Sequence, residues 1–415
     1  MKNKRVNFMT YTKLDADSII SYILSIDTLH HFFGTDTLEA SEIGDGNLNY
    51  VYIVRAADHP EKALILKQAV PYLRIAGEGY PLSRDRMSYE IRSLKLYNAL
   101  IPQHVPDVLY ADEAMSVIVL EYLSKHIIMR EGMMDAIIYP NFAAHMGQFL
   151  AQTLFKTSSL FLEGTAKRQM MAQFNNNTEL CGLTETFVFT APYMEHETNE
   201  IDPLIEAEVL ALREDTAFKI AMLELKYKFM NQSDALLHGD LHTGSIMINK
   251  DETYVIDSEF AFFGPFGFDV GALIGNLAMS WVSHFERSKD SHYQGWILES
   301  IVELYETFET YFLSLWSAAE QSALIEPGFI DHKGLKQYQQ NFMQNILQES
   351  IGFAGAKISR RQLGIAGVAD IRGIEEPKSR ARAEKMALSI GIHLVKNYRT
   401  MHLITDLTDY LRNLK

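Results

Sequence analysis

Apolar residues recur at helical spacing over residues 15–33 (DADSIISYILSIDTLHHFF). Ile19, Ile20, Ile23 and Leu24 repeat there and Asp15 stands where a cap is needed, so the pattern predicts a helix. The period then drops to two. Tyr50, Tyr52 and Val54 alternate with Val51, Ile53 and Arg55, and LEASEIGDGNLNYVYIVRAA reads as strand, glycine turn, strand. A third strand is predicted over 62–70 (KALILKQAV), with Lys67 near its end, followed by a helix over 88–100 with Ile91, Leu94 and Leu100 inward. Two more strands are expected at 105–112 and 116–123. From about Tyr139 onward helical periods dominate, at 141–157, 201–231, 291–322, 333–350 and 379–398. One strand pair interrupts them, at 246–249 and 253–257. There is no internal repeat. The pattern predicts an α+β fold of two lobes: a strand-rich N-lobe with one internal helix over 1–122 and a mainly helical C-lobe over 123–415. Ligands of such folds are expected in a cleft.

Composition narrows the class of function. A chain of 415 residues can bury a large core without a metal or disulfide staple. The formal net charge of −15 argues against sequence-independent nucleic-acid binding and against an anionic membrane surface, while leaving room for a local basic pocket. The single cysteine, Cys181, excludes an internal disulfide and a zinc site built on several cysteines, and is expected to fill the core. The first twenty residues hold no apolar run of signal length, and no stretch matches a membrane span, so a cytoplasmic enzyme is the expectation.

The chemistry concentrates in LLHGDLHTGSIMI (236–248) and TYVIDSEFAFFGPFGFDVG (253–271). Apolar anchors flank a loop carrying His238, Asp240, His242 and Ser245. Asp240 is placed to accept a proton from an attacking hydroxyl. Seventeen positions on, a strand is expected to end in Asp257, with Glu259 two further along. In extended backbone those two carboxylates face the same way, as a hard oxygen pair suited to Mg²⁺ held with phosphates. A base carboxylate followed at this distance by a metal carboxylate is the layout of kinase-like phosphotransferases. HGDLHTGS stands where protein kinases carry H-R-D-x-x-x-x-N, and Asp257 fills the position of the DFG aspartate.

These motifs resemble the aminoglycoside phosphotransferase and choline kinase branch of the protein-kinase-like fold, which carries HGDLHxxN. Ser245 departs from that pattern at its last position. HGDLHTGS followed by D-x-E, with FAFFGPFGFDVGALIGNL, is most similar to the 5-methylthioribose kinase family. The resemblance implies a bilobal kinase-like fold and ATP with Mg²⁺ as cofactors. EIGDGNLNYVYIV then resembles the nucleotide loop, with Gly44, Asp45, Gly46 and Asn47 about the phosphates and Lys67 on the next strand pairing the α- and β-phosphates. Glu90, on the following helix, is placed to pair with Lys67. By resemblance Glu121, Tyr122 and Leu123 form the hinge whose backbone meets adenine, and Asp269 holds the catalytic loop by hydrogen bonds. His238 is expected to pack under that loop. Near the chain's end, SIGFAGAKISRRQLGIAGVADI carries Arg360 and Arg361, which resemble the family's substrate-contacting arginine pair. Adjacent arginines diverge by ~100° on a helix, so an end or irregular turn is expected there.

The implied activity is ATP-dependent phosphorylation of the 1-hydroxyl of 5-methylthioribose, in methionine salvage, by a cytoplasmic homodimer that binds neither nucleic acid nor membrane. Two alternatives stand beside it. One is a kinase of the same fold acting on an aminoglycoside, choline or homoserine, although an arginine pair disfavours cationic acceptors. The other is a nucleotide-binding regulatory protein without activity, against which Lys67, Asp240 and Asp257 are all present.

Overall fold

The computed structural model describes residues 10–43, 48–74, 77–319, 324–326 and 328–414. The chain forms two compact units. One runs to His126 and includes Ile256–Phe260; the other comprises Ile127–Val255 and the chain from Ala261. The division falls after His126, where the sequence pattern places it after Tyr122.

In the first unit, helices α1 (Ala16–Ser25) and α2 (Asp27–Phe33) precede strands β1 (Leu38–Glu42), β2 (Asn49–Ala56) and β3 (Ala63–Ala69), helix α3 (Arg86–Leu100), and strands β4 (Val108–Asp112) and β5 (Val117–Glu121). The strands form one antiparallel sheet in the order β1-β2-β3-β5-β4. The helix expected over 15–33 is two helices. Ile26 is extended at the break (φ −96, ψ 114). The apolar period runs through it because Ile26 still packs against the same core. That core joins Ile19, Tyr22, Ile23 and Phe33 to Tyr52, Val54, Leu64, Leu66, Val117 and Val119, so the N-terminal helices cover one sheet face. Leu64 and Leu66 point into it, which turns Lys67 to the opposite face.

The second unit begins with the short strand β6 (Ile127–Ile128). Helices α4 (Met129–Met134), α5 (Phe142–Lys156), α6 (Gly164–Ala172), α7 (Thr178–Phe187), α8 (Glu206–Glu214) and α9 (Thr216–Asn231) follow. Strands β7 (Ala235–Leu237), β8 (Ile246–Ile248), β9 (Thr253–Val255) and β10 (Phe262–Gly264) then frame the HGDLHTGS loop in two small ladders, β6-β8-β9 and β7-β10. Helices α10 (Gly267–Ser283), α11 (Ser291–Ala318), α12 (His332–Leu363), α13 (Ala369–Arg372), α14 (Pro377–Asn397) and α15 (Ile404–Arg412) complete it.

Three expectations are corrected here. The helix over 201–231 is a 3-10 turn and two α-helices, because Asp215 accepts a hydrogen bond from the Phe218 N–H and so caps a new start inside the periodic stretch. The helix ending at 350 continues to Leu363. Its glycines do not break it, since Gly355 lets α12 meet α14 closely: a Cβ there would lie 2.8 Å from the Gly391 carbonyl oxygen. Helix α10 goes unread in the pattern because every one of its residues is buried, leaving no polar face to mark a period. The phenylalanine run serves as core, as expected: Phe262 and Phe268 ring the same cluster as Phe229 and Phe353. Among the described residues no helix is long and apolar enough to cross a membrane. Cys181 is partly buried, and its thiol is pushed up to about 12 by burial, which leaves it unreactive.

Candidate active site

Each unit carries one cluster of the expected site residues. In the first, Lys67 lies on central strand β3, opposite Val51 of β2 and Ile118 of β5. Its Nζ donates to Glu90 Oε1 of α3 at 2.9 Å and to Asp257 Oδ1. Burial pushes the Lys67 ammonium down, but the carboxylates of Asp257, Glu90 and Glu259 outweigh it and hold the group above its ordinary value. Burial also pushes Glu90 up, to about 8.

The D-S-E segment is not the extended pair that its spacing predicts. Strand β9 ends at Val255, and Asp257 adopts a left-handed backbone with φ +72. Each of its three residues is instead fastened separately. Asp257 meets Lys67, and Ser258 Oγ lies 2.7 Å from Ser93 Oγ. Glu259 Oε2 accepts from Asn49 Nδ2 at 2.8 Å and pairs with Arg86 Nε at 3.4 Å. Arg86 also donates to the Asn49 Oδ1 and Leu48 carbonyl oxygens, both at 3.0 Å. Arg86 and Asn49 were missed by sequence reading; a charged residue on the inward face of α3 was the available signal. Gly44, Asp45, Gly46 and Asn47 lie outside the described residues.

Glu121 ends β5, and its side chain accepts from the Asp107 N–H at 2.8 Å. The Tyr122 and Leu123 carbonyls accept from Ser124 and His126 N–H groups.

The second cluster gathers on the loop between β7 and β8. Gly239 has φ +84, a conformation open to glycine, and this turns Asp240 away from the strand. Asp269, from the first turn of α10, accepts from the His238 N–H at 2.6 Å and the Gly239 N–H at 3.1 Å. His238 is buried, and its Nδ1 accepts from the Asp240 N–H at 3.3 Å. Asp269→Ala would strip two buried N–H groups of their acceptor, and a loss of about 3 kcal/mol is expected, read from urea unfolding midpoints.

Asp240 Oδ1 accepts from Lys357 Nζ at 3.2 Å, and Oδ2 lies 3.4 Å from His242 Nε2. Burial favours the protonated acid, but His242, Lys357 and Arg361 outweigh it and hold the carboxyl well below its usual range. About a quarter of its side-chain surface stays exposed. Lys357, Arg360 and Arg361 occupy the last turns of α12, a regular helix rather than an irregular turn. Their i, i+3, i+4 spacing puts both arginines within about 60° of the lysine's direction, so one helix face carries all three cations. Burial and the two arginines bring Lys357 down to about 8. Arg361 donates to the Ala366 carbonyl at 2.8 Å. Arg360 Nε is buried and has no hydrogen-bond partner among the described residues. Arg130 of α4 pairs with Asp370 at 3.3 Å and reaches Thr243 Oγ1 at 3.3 Å. Sequence reading assigned no role to Lys357 and left His242 open. Ser245, where the wider branch has Asn, is buried in the loop, its hydroxyl within reach of the Asp240 carbonyl and His242 Nδ1.

A sheet lysine bridging a helix glutamate and an aspartate, with a separate loop aspartate ringed by cations, defines a phosphotransferase. Comparison with known proteins agrees. The model of the phosphotransferase enzyme family matches residues 39–302. Methylthioribose kinase 1 of Oryza sativa subsp. japonica is 38% identical over 405 residues, covering 95% of this chain and 94% of its own length. Methylthioribose kinase of Bacillus cereus is 40% identical over 355 residues, covering 86% of each. The chain therefore belongs to the phosphotransferase enzyme family and, within it, to the methylthioribose kinases.

Proposed function

We propose that the chain transfers the γ-phosphoryl group of ATP to the 1-hydroxyl of 5-methylthioribose, a step of methionine salvage. The observation that carries this reading is the buried face of Lys357, Arg360 and Arg361 around one carboxylate, Asp240. A buried face on which cations outnumber carboxylates would repel choline or an aminoglycoside, and suit the oxygens of an uncharged sugar and an incoming phosphoryl group. The names of the relatives support the same substrate.

In this mechanism Lys67, steadied by Glu90, contacts the α- and β-phosphates, with Gly44, Asp45, Gly46 and Asn47 about them. The backbone of Glu121, Tyr122 and Leu123 meets the adenine. Asp240 orients the sugar hydroxyl and takes its proton, while Arg360 and Arg361 hold the sugar. Asp257 fits a hard cation, because its carboxylate side chain is 44% exposed. It would hold Mg²⁺ together with Glu259, which Asn49 and Arg86 already orient. The ion, when bound, supplies neutralisation of phosphate charge. Asp257→Ala is expected to cost about 100-fold in rate and to raise the Mg²⁺ needed for half-maximal rate. A Mg²⁺ titration with an unchanged midpoint would remove Asp257 from the metal site.

The substrate is tested by ADP release from Mg-ATP with 5-methylthioribose, ribose, choline, homoserine and an aminoglycoside. Turnover with 5-methylthioribose that is weak with ribose is the expected result. Preference for choline or an aminoglycoside would overturn the substrate and the role of the arginine pair. The expected state is a cytoplasmic homodimer, which light scattering checks for assembly.

A further inference from the structure

Each oxygen of the loop aspartate has one nitrogen donor standing against it. One contact comes from His242, two positions along the same loop, and the other from Lys357, 117 residues away on α12. The tautomer of His242 follows from its neighbours. Its Nδ1 accepts from the Gly244 N–H at 3.1 Å, and a backbone N–H can only donate. A neutral ring therefore carries its proton on Nε2, the nitrogen that faces Asp240 Oδ2. Ser245 Oγ, 3.1 Å from the same Nδ1, donates to the Asp240 carbonyl oxygen at 3.1 Å and so ties the two residues together.

We propose that His242 and Lys357 are positioning residues that brace Asp240 from its two sides, one donor on each carboxylate oxygen, so that the carboxylate is ionised and correctly turned before the acceptor hydroxyl arrives. Each oxygen keeps a second lone pair for the incoming hydroxyl. The charged groups about the ring are Asp240, Arg130 of α4 and Arg361 of α12. Burial, with the two arginines, brings His242 down to about 4 against the pull of Asp240, so the ring stays neutral at working pH. The brace leaves Asp240 as the group that takes the proton.

The proposal rests on Asp240 serving the acceptor, and the test separates the two. His242→Leu removes the donor, His242→Gln keeps one at a similar reach, and Lys357→Met removes the other side. The expected results are a kcat about 10–100-fold lower for His242→Leu and Lys357→Met, with KM for ATP nearly unchanged. His242→Gln should recover most of the loss. The acid limb of kcat/KM should move to higher pH in the two deleted variants, because Asp240 loses a donor to its ionised form. Unmoved kcat and acid limb in both, or a Gln variant as poor as Leu, would overturn the brace. Ring-nitrogen NMR of the unsubstituted protein reads the same claim without turnover. A neutral Nε2–H ring across about pH 5.5 to 8 is expected, and an imidazolium in that range would overturn it. Should the unsubstituted protein fail to phosphorylate any acceptor, the functional reading falls, while the NMR still decides the brace.

Discussion

Asp240→Asn is expected to lower kcat by about 10²–10⁴-fold while ATP binding stays within a few-fold of normal. The amide keeps the shape of the carboxylate but accepts no proton and carries no charge. Lys357, 3.2 Å from Oδ1, and the buried arginines Arg360 and Arg361 then lose a carboxylate that offsets their charge. Part of the loss will therefore be a less stable second unit, and melting temperatures must be measured beside the rates. The nucleotide contacts are assigned to other residues, so ATP affinity separates a chemical defect from a folding one. An Asp240→Asn protein with near-normal kcat would remove Asp240 from the acceptor side.

Lys67→Met is the second large effect. The side chain is 9% exposed and is the donor to both Glu90 and Asp257. Loss of a cation aimed at phosphates is expected to cost about 10²–10³-fold in kcat/KM for ATP. Stranding a buried charge usually costs about 3–5 kcal/mol. The loss here should be smaller, because burial holds Glu90 up to about 8 even beside Lys67, and without the lysine the carboxyl is protonated rather than left as a bare charge. A carboxyl whose pKa is raised by folding stabilises the folded chain most below its unfolded value, near 4.5, and loses that contribution as pH rises through its folded value. With Lys67 gone Glu90 rises further, so unfolding midpoints of Lys67→Met should go on falling above about pH 8, where the unsubstituted protein has already lost this contribution. A flat difference across that range would show that Glu90 is not the group left behind.

The catalytic loop was legible because its chemistry is local. His238, Asp240, His242 and Ser245 fall within eight residues between two apolar anchors, and no distant element is needed to recognise them. Lys67 was legible as a lysine on a strand of alternating pattern. The pairing of Glu90 with Lys67 was only one reading of a helical glutamate, since such residues mostly face water. The loss of Lys357 had a specific cause. Ending the helix at 350 hid the i, i+3, i+4 relation among Lys357, Arg360 and Arg361. Asp257 and Glu259 were assigned to one face by the period of a strand that in fact ends at Val255.

Sequence alone thus determined the α+β class and the order of strand-rich and helical parts, and it singled out Asp240, Lys67 and the arginine pair as candidates. These depend on residue type and on spacing within a few turns or strands. Partnership came only from packing. Lys67 finds Asp257 across 190 residues, and Asp240 finds Lys357 across 117, and no short-range period encodes such distances. Lys357 also needs α12 to run unbroken to Leu363. That helix keeps its glycines because α14 fills the space a side chain would take, and contacts of that kind exist only once the chain has folded.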